Sequence, residues 1–266
     1  MPEPDYASDT ALLEAAVREA GAIARTFFTG RNRARSKADG SPVSDADLAV
    51  DRFLTERLRP ARSDYGWLSE ETEDDPARLS ARRVFVVDPI DGTIAFLKGR
   101  PHFTISAAVV EGEISVAAAV YNPLTEECFT AVRGAGARLN GAPIRVSGRE
   151  KLEGCRMLAS KTTLRDPCWG GAPWPPMEVA TPNSIAYRIA LVACGTFDAA
   201  ITLAGTHDWD IAAADLIVRE AGGLISSHAG NIPRYNQVNP IQPSVVAAGR
   251  TLHEAILARV GGIRSV

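Results

Sequence analysis

Two carboxylates that follow directly after an apolar run are the strongest chemical feature of this sequence. The run Val84–Val87 predicts a buried strand, and the segment Asp88-Pro-Ile-Asp-Gly-Thr leaves its end. Asp88 and Asp91 can therefore point into one small volume, where paired carboxylates suit a hard divalent cation. Gly92 permits a turn that places its own amide and that of Thr93 at the start of a helix, where an anion binds well. A divalent cation at this point would bring an anionic substrate to these amides.

Other acidic residues could belong to the same site. Glu70 and Glu71 follow a short apolar segment, although the acidic run that they begin is by itself typical of a solvated loop. Asp210 stands at the start of a nearly all-apolar helix, where a carboxylate serves equally well as an N-cap or as a ligand. Asp47 lies three residues after Ser44, which is the spacing of a capping box. The residues alone leave these roles open.

The composition is that of an ordinary folded protein. Of the 266 residues 45% are hydrophobic and 23% are charged, which excludes disordered and fibrous classes. A formal net charge of -3 gives no global positive field and argues against direct binding of nucleic acid or anionic lipid. No apolar run approaches the ~20 residues needed to cross a bilayer. The first residues lack the pattern of a secretory signal, so we expect a cytoplasmic protein.

Cysteine usage agrees with a reducing compartment. The cysteines are scattered and form no C-x-x-C pair, so we expect buried reduced thiols rather than disulfides or a structural zinc site. They are Cys128, Cys155, Cys168 and Cys194.

Two helices are expected to precede any strand and to position the acidic residues. Apolar residues at helical spacing over Leu13–Phe28 predict the first helix, with Asp9 or Thr10 as its N-cap. Capping-box spacing opens the second helix, which runs over Ser44–Pro60.

The rest of the chain predicts strands followed by alternating helices and strands. A meander is expected over Phe103–Val110, Ile114–Tyr121 and Cys128–Val132, with a hairpin-type turn at Asn140-Gly141. Thr162–Pro182 carries five prolines and predicts an irregular surface loop. The C-terminal third predicts helices over 184–195, 210–222 and 252–260 and strands over 198–203, 224–227 and 244–248. Mixed sheets layered with helices are the expected class.

Three motifs in this order and spacing resemble the inositol monophosphatase superfamily. They are Trp67-Leu-Ser-Glu-Glu, Asp88-Pro-Ile-Asp-Gly-Thr and Trp209-Asp210-x-Ala-Ala. The resemblance implies an α/β fold with mixed sheets, layered αβαβα. It also implies one phosphatase unit over residues 1–266, divisible into subdomains of about 1–150 (α+β) and about 151–266 (α/β).

The same resemblance implies a Mg²⁺-dependent phosphoric monoester hydrolase with two or three Mg²⁺ ions. In this scheme one ion activates water and another stabilises the leaving oxygen, so that no protein nucleophile is needed. The implied metal ligands are Glu70, Asp88, the Ile90 carbonyl, Asp91 and Asp210. The implied catalytic residues are Asp47, Glu70 and Thr93, with Asp47 and Thr93 orienting the attacking water. The expected substrate contacts are Asp91, Gly92, Thr93, Ser184, Arg188 and Asp210.

Residues that should face the substrate depart from the inositol phosphatase pattern. Leu203 stands seven residues before Asp210, where those enzymes typically place a Glu that accepts hydrogen bonds from ring hydroxyls. Ala95 replaces a usual Asn, and Asn183-Ser184-Ile185 replaces G-[ST]-A. Recognition of a polyol should therefore be weakened.

Arg188 favours a substrate with a second phosphate. Bacterial 3'(2'),5'-bisphosphate nucleotidases of the superfamily are similar in carrying a basic residue at this place, and a second phosphate would need such a cation. A solvated arginine on an amphipathic helix explains Arg188 equally well. The best expected substrate is adenosine 3',5'-bisphosphate, with an inositol monophosphate as the alternative and histidinol or sugar phosphates after it.

Two residues near the motifs have weaker assignments. Lys37 stands where family members often carry a lysine near the metals, and a solvated lysine is an equal alternative. His207 is expected to be structural or to support the ligands.

A partner-binding regulatory protein is the rival from another class, since some bacterial relatives act through RNA or transcription partners. The complete set of carboxylates favours an enzyme. The resemblance also implies a homodimer and inhibition by Li⁺, and the expected partner is a small phosphorylated metabolite without membrane or direct nucleic-acid binding.

Overall fold

The computed structural model describes residues 6–29, 34–36, 42–160, 163–164 and 173–260. Its helices are α1 (Tyr6–Thr29), α2 (Asp45–Leu58), α3 (Thr93–Leu97), α4 (Ile185–Ala193), α5 (Asp208–Glu220) and α6 (Arg250–Val260). Its first strands are β1 (Ala34–Ser36), β2 (Pro42–Ser44), β3 (Gly66–Ser69), β4 (Arg83–Asp91), β5 (Thr104–Glu111), β6 (Ile114–Asn122), β7 (Glu127–Val132) and β8 (Gly136–Leu139). The later strands are β9 (Ala142–Pro143), β10 (Arg156–Leu158), β11 (Glu178–Ala180), β12 (Ala199–Thr202), β13 (Thr206–His207), β14 (Gly223–Ser226), β15 (Ile241–Gln242) and β16 (Val245–Gly249).

The larger sheet has seven strands within the described residues, in the order β3-β4-β5-β6-β7-β8-β9. Only β3 and β4 are parallel, and the remaining neighbours are antiparallel as the predicted meander requires. Helices α1 and α2 cover its outer face, where Val50 and Leu54 pack with Phe85 and Val87. Because side chains alternate along a strand, Val84 and Val86 point to the opposite face.

A second sheet forms from the later part of the described chain, in the order β11-β10-β12-β16-β14. Helices α4 and α5 lie between the two sheets and share one apolar core with both, in which Ile211 and Ile217 are fully buried. Helix α6 covers the outer face of this sheet through Leu252 and Ile256. The layers therefore run helix, sheet, helix, sheet, helix, which confirms the expected αβαβα arrangement. The division into subdomains stays a prediction.

Three local expectations were wrong. The ribbon β1–β2 precedes α2, so the expectation that two helices precede any strand is wrong. Helix α1 begins at Tyr6, and Asp9 lies inside it instead of capping it, because its carboxylate is bound by Arg62 and Tyr65. Strand β11 forms inside the expected irregular loop by pairing with β10. Sequence propensity does not foresee such pairing, because a short strand depends on its neighbour.

None of the helices in the described part of the chain combines the length and apolar character needed to cross a membrane.

Candidate active site

A β-bulge brings Asp88 and Asp91 to the same face of the larger sheet. Asp88 pairs with Ser106 and Asp91 pairs with Thr104, so three steps along β4 match two steps along β5. In a regular strand a separation of three residues would put the carboxylates on opposite faces. The extra residue corrects this alternation, and both side chains point toward the layer of helices between the sheets.

Helix α5 supplies the third carboxylate of the cluster. Asp210 is the third residue of this helix, and His207 is the N-cap. The alternative of Asp210 as N-cap is therefore wrong in position, although its Oδ2 does accept the backbone N–H of His207 at 2.7 Å. Asp208 lies two residues earlier and is fully buried. It accepts hydrogen bonds from the Asn236 amide and the Gln242 side chain, each at 2.9 Å.

Asp88, Asp91 and Asp210 together have the donor set that suits a divalent cation. One oxygen from each lies within 4.8 Å of the others. The Oδ1 atom of Asp88 is buried and has no hydrogen-bond partner among the described residues. A buried carboxylate oxygen without a partner is costly unless a cation compensates it. The cluster therefore fits the hard, oxygen-liganded Mg²⁺ that the sequence predicts.

The electrostatics of the cluster point the same way. Burial first, and the neighbouring carboxylates second, raise the pKa of Asp88 well above its ordinary value. Burial and then the charge of Asp91 likewise raise the pKa of Asp210. Carboxylates that repel one another in a desolvated space favour protons or metal ions.

Asp91 is held more firmly by the protein than Asp88 is. Its Oδ2 accepts from the Ser184 hydroxyl at 2.5 Å and from the Ala186 amide at 2.6 Å, while Oδ1 accepts from the Ile185 amide at 3.2 Å. These bonds offset part of the burial effect, and the pKa of Asp91 is raised to about 6. The donors form the first turn of α4, so this helix start fixes the direction of the Asp91 carboxylate.

The expectation that Ser184 contacts substrate does not agree with its position. Its side chain is fully buried, and its hydroxyl caps α4 by accepting the Tyr187 amide. The same hydroxyl is hydrogen bonded to Asp91 and to Thr104. Ser184 therefore orients Asp91, and its hydroxyl is engaged by protein groups.

Glu70 lies beside the cluster, one residue after the end of the neighbouring strand β3. Strand β3 runs parallel to β4 with Ser69 opposite Val87, and the Glu70 amide donates to the Val87 carbonyl at 3.3 Å. The next residue of β4 after Val87 is Asp88. Glu70, which comes directly after β3, therefore lies beside Asp88 in this register. The charge of Glu70 contributes to the raised pKa of Asp88 and of Asp91. The solvated-loop alternative does not describe this residue.

Thr93 and Asp47 form the hydrogen-bonded pair expected at the water site. The Thr93 hydroxyl lies 3.1 Å from Asp47 Oδ1 and 3.1 Å from the Ile90 carbonyl oxygen. Since it has one hydrogen, it donates to one of them at a time. Asp47 also completes the expected capping box, because Oδ2 accepts from the Ser44 amide at 2.8 Å. Burial raises the pKa of Asp47, and the bonds from Ser44 and Thr93 reduce that effect.

Gly92 has the left-handed backbone that the turn requires, with φ of 99°. A Cβ at this position would lie 2.9 Å from the His102 carbonyl oxygen and 3.2 Å from the Ser184 amide nitrogen. Another residue type would be strained and would crowd both neighbours. Thr93 then begins α3.

Arg188 and Leu203 are the residues from which the sequence predicts a substrate preference. The Arg188 Nε donates to the Pro182 carbonyl at 2.5 Å, and burial lowers the pKa of its guanidinium, while the nearby charge of Asp91 raises it. Leu203 packs against the apolar cluster under α6. The interpretation of Arg188 as a freely solvated residue does not fit this half-buried position.

The other expected residues have simpler outcomes. Lys37 and Cys168 lie outside the described residues. His207 stacks on Trp209 with ring centroids 4.4 Å apart, and its amide binds Asp210, as expected for a structural role. Cys128, Cys155 and Cys194 are free thiols, and burial raises the pKa of Cys128 and of Cys155 to about 12.

The residues that hold the ligands were missed from the sequence. Thr104 is hydrogen bonded to Ser184, which binds Asp91, and these residues come from elements distant in the chain, so no local spacing could reveal the contact. Asp51 is different, because it follows Asp47 by four residues and so shares its helix face.

Comparisons with known proteins identify the family of this chain. The model of the inositol monophosphatase family matches residues 5–264. The inositol-1-monophosphatase of Rhizobium meliloti is 37% identical over 230 residues, which cover 82% of this chain and 85% of that protein. The Nus factor SuhB of Xylella fastidiosa is 34% identical over 222 residues, 80% of this chain and 79% of that protein.

Solved structures of similar proteins share this fold. The crystal structure of the extragenic suppressor protein suhB from Bartonella henselae superimposes with a TM-score of 0.82 at 27% identity, covering 95% of this chain and 98% of that one. Together with the family match over nearly the whole length, this shows that the chain belongs to the inositol monophosphatase family, whose members are phosphatases that hydrolyse phosphate monoesters.

Proposed function

We propose that this chain is a Mg²⁺-dependent phosphatase that hydrolyses a small phosphate monoester, with adenosine 3',5'-bisphosphate as its best substrate. The observation that carries the metal-dependent chemistry is the buried group Asp88, Asp91 and Asp210 with an unpartnered Asp88 oxygen. Three desolvated carboxylates within reach of one another are stable together only with protons or cations.

The proposed ligand set combines this group with its two neighbours. Glu70, Asp88 and the Ile90 carbonyl would hold one Mg²⁺, and Asp88, Asp91 and Asp210 a second. When bound, the ions supply positive charge for the phosphoryl and leaving oxygens and make water a stronger acid.

Thr93 and Asp47 orient the attacking water in this proposal. A Thr93 hydroxyl that donates to Asp47 presents its own oxygen as an acceptor for a proton of that water. Burial raises the pKa of Asp47, which strengthens this carboxylate as the end of the proton-accepting chain. Asp47 is fixed at the start of α2 by Ser44, so the pair is preorganised before substrate binds.

The turn after β4 binds the phosphate itself. The left-handed Gly92 leads directly into α3, so the amides of Gly92 and Thr93 belong to the positive end of a helix turn. Asp91 and Asp210 contribute to substrate binding through the cation that they share.

The preference for a bisphosphate rests on Arg188 and Leu203. Arg188 is anchored by its Nε to the Pro182 carbonyl, near enough to Asp91 for their charges to interact. A half-buried guanidinium beside the phosphate site would bind a second phosphate by charge-assisted hydrogen bonds. Leu203 supplies no acceptor for the hydroxyls of a polyol.

An inositol monophosphate is the alternative substrate. The observation in its favour is the 37% identity to a relative named inositol-1-monophosphatase. Histidinol and sugar phosphates come after it. A partner-binding role has support in the relative named Nus factor SuhB, but a protein retained only for partners would not need the complete carboxylate set.

Substrate panels with an arginine variant test this preference. Adenosine 3',5'-bisphosphate should have a higher kcat/KM than inositol 1-phosphate, and Arg188→Ala should reduce that advantage about tenfold or more. Arg52→Ala, on an arginine whose side chain is 80% exposed, is the control and should change neither value. A better kcat/KM for inositol 1-phosphate, or an equal loss on both substrates in Arg188→Ala, would overturn the preference for the bisphosphate.

Cytoplasmic location and a homodimer stay predictions. Both follow from the sequence and its resemblance, and size-exclusion chromatography with light scattering tests the second.

A further inference from the structure

One carboxylate outside the proposed ligand set holds the residues on either side of Glu70. Asp51, in α2, is 8% exposed. Its Oδ1 accepts the Ser69 hydroxyl at 2.5 Å, and its Oδ2 accepts the Thr72 hydroxyl at 2.9 Å. Both oxygens of a single side chain are therefore used on a four-residue segment that contains Glu70.

The backbone of this segment is held by the same group of bonds. The Ser69 oxygen accepts the Glu71 amide at 3.4 Å while its hydrogen goes to Asp51. The Glu70 amide reaches back to the Val87 carbonyl. Strand β3 ends at Ser69 and the Glu70 amide still bonds to β4, so it is beyond Glu70 that the pairing with β4 no longer fixes the chain. Beyond the strand pairing, the hydrogen bonds from Ser69 and Thr72 to Asp51 hold this segment.

Helix α2 connects this segment to the water site. Asp47 and Asp51 are one helical turn apart on the same face. Asp47 binds Thr93, and Asp51 binds the residues around Glu70. A helix is a stiff spacer, so the separation between the water-orienting pair and Glu70 is set by one turn of α2.

We propose that Asp51 is a positioning residue for the metal site, which holds the Glu70 carboxylate beside Asp88 through Ser69 and Thr72. This inference rests on the proposed role of Glu70 as a Mg²⁺ ligand. Residues that orient a ligand commonly change metal affinity about 10- to 100-fold when they are lost. Both oxygens of Asp51 are engaged by Ser69 and Thr72, so its effect on Mg²⁺ binding should pass through Glu70.

The test is Mg²⁺ binding to the full chain by isothermal titration calorimetry, without substrate. Asp51→Ala removes both acceptors and should raise the Kd for Mg²⁺ about tenfold or more. Asp51→Asn keeps one acceptor oxygen and should have a smaller effect. Thr72→Val removes one of the two bonds and should fall between the wild-type protein and Asp51→Ala, and it serves if Asp51→Ala does not fold.

A double-mutant cycle with Glu70→Gln separates positioning from general stability. If Asp51 acts through Glu70, the effect of Asp51→Ala should largely vanish in the Glu70→Gln background. Asp198→Asn is the matched control, since Asp198 is 4% exposed and ion-paired with Arg156 in the other sheet. This change should lower the Tm without changing the Kd.

The outcomes distinguish the inference from the function on which it rests. An unchanged Kd in both Asp51→Asn and Thr72→Val, or an equal effect of Asp51→Ala in both backgrounds, would overturn the positioning role while leaving Glu70 a ligand. An unchanged Kd in Glu70→Gln itself would instead overturn the ligand assignment and the inference with it.

Discussion

Asp88 and Asp91 differ in how the protein satisfies their charge. Asp91 accepts three hydrogen bonds from the start of α4, whereas Asp88 has a buried oxygen without a partner in the described chain. A buried carboxylate that lacks donors depends on a cation, while one that has them is already preorganised. The two neighbours should therefore respond differently to the same substitution.

Asp88→Asn should stabilise the metal-free protein and abolish the effect of Mg²⁺ on stability. The substitution removes one buried charge from a group of mutually repelling carboxylates. A gain of about 1 kcal/mol would raise the Tm by roughly 2–4 °C in a chain of this size. Differential scanning fluorimetry in EDTA measures the Tm of the metal-free protein, and the same measurement in Mg²⁺ gives the effect of the ion on stability. Asp91→Asn is the comparison and should gain less, because its amide group would meet N–H donors.

The stabilisation by Asp88→Asn should depend on pH. A carboxyl group whose pKa is raised on folding contributes stability that is present at low pH and is lost as the pH rises through its folded value. For Asp91 that value is about 6, and for Asp88 it is well above the ordinary range. The difference in free energy of unfolding between Asp88→Asn and wild type should therefore be small near about pH 4.5 and larger at about pH 7.5. Urea titrations in EDTA measure it, and a difference that shrinks with rising pH would contradict the account.

At the scale of elements, the site depends on a bulge that the sequence does not reveal. The spacing of Asp88 and Asp91 and the strand before them are visible in the sequence, and the chemistry was predicted from them. Their common face requires the extra residue in β4, which is detectable only from the pairing with β5. Asp210 shows the same limit, because its helix was predicted while the start at Asp208 was not.

Two loops beside the site are joined by one buried arginine. Arg78 pairs with Asp74 at 2.6 Å and donates to the Asn236 side chain at 2.7 Å, and the Asn236 amide binds Asp208 at the start of α5. This connects the chain that follows Glu70 to the helix that carries Asp210. Sequence reasoning saw only an acidic run here, because the partners lie in distant segments.

Arg78→Met should destabilise the protein by about 2 kcal/mol or more, since it removes a buried guanidinium that donates to Asp74, to the Asn236 side chain and to the Gln237 carbonyl. Arg52→Ala is the comparison, because its solvent-exposed pair with Glu56 is screened and should contribute little to stability. Chemical denaturation measures both values. A loss for Arg78→Met no larger than that for Arg52→Ala would contradict the role of this connection.

At the scale of the whole molecule, the site lies where both halves of the chain meet. The larger sheet supplies Asp88 and Asp91, and the helix layer shared by the two sheets supplies Asp210 and the donors of α4. The layered fold could be predicted because three motifs and the order of elements resemble one family. The positions of Ser184 and β11 could not, because they follow from tertiary pairing.

Li⁺ should inhibit the enzyme at fixed Mg²⁺. A small monovalent ion at the site of Asp88, Asp91 and Asp210 would occupy the place of a divalent ion without its full charge, so the leaving oxygen would be less stabilised. Phosphate release at saturating substrate with LiCl and with KCl as control measures this. Equal rates in the two salts would count against a catalytic cation at Asp88, Asp91 and Asp210.

The central claim is that the buried carboxylate cluster carries a Mg²⁺-dependent phosphatase activity. Asp210→Asn tests it most directly, because an Asn oxygen can still accept the His207 amide while the charge is lost. Phosphate release from adenosine 3',5'-bisphosphate and inositol 1-phosphate is measured in Mg²⁺ and in EDTA, with Asp198→Asn as the control. We expect release by the wild-type and control proteins in Mg²⁺ alone, and loss of nearly all activity in a folded Asp210→Asn protein. Undiminished release by Asp210→Asn in Mg²⁺, or by the wild-type protein in EDTA, would contradict the account.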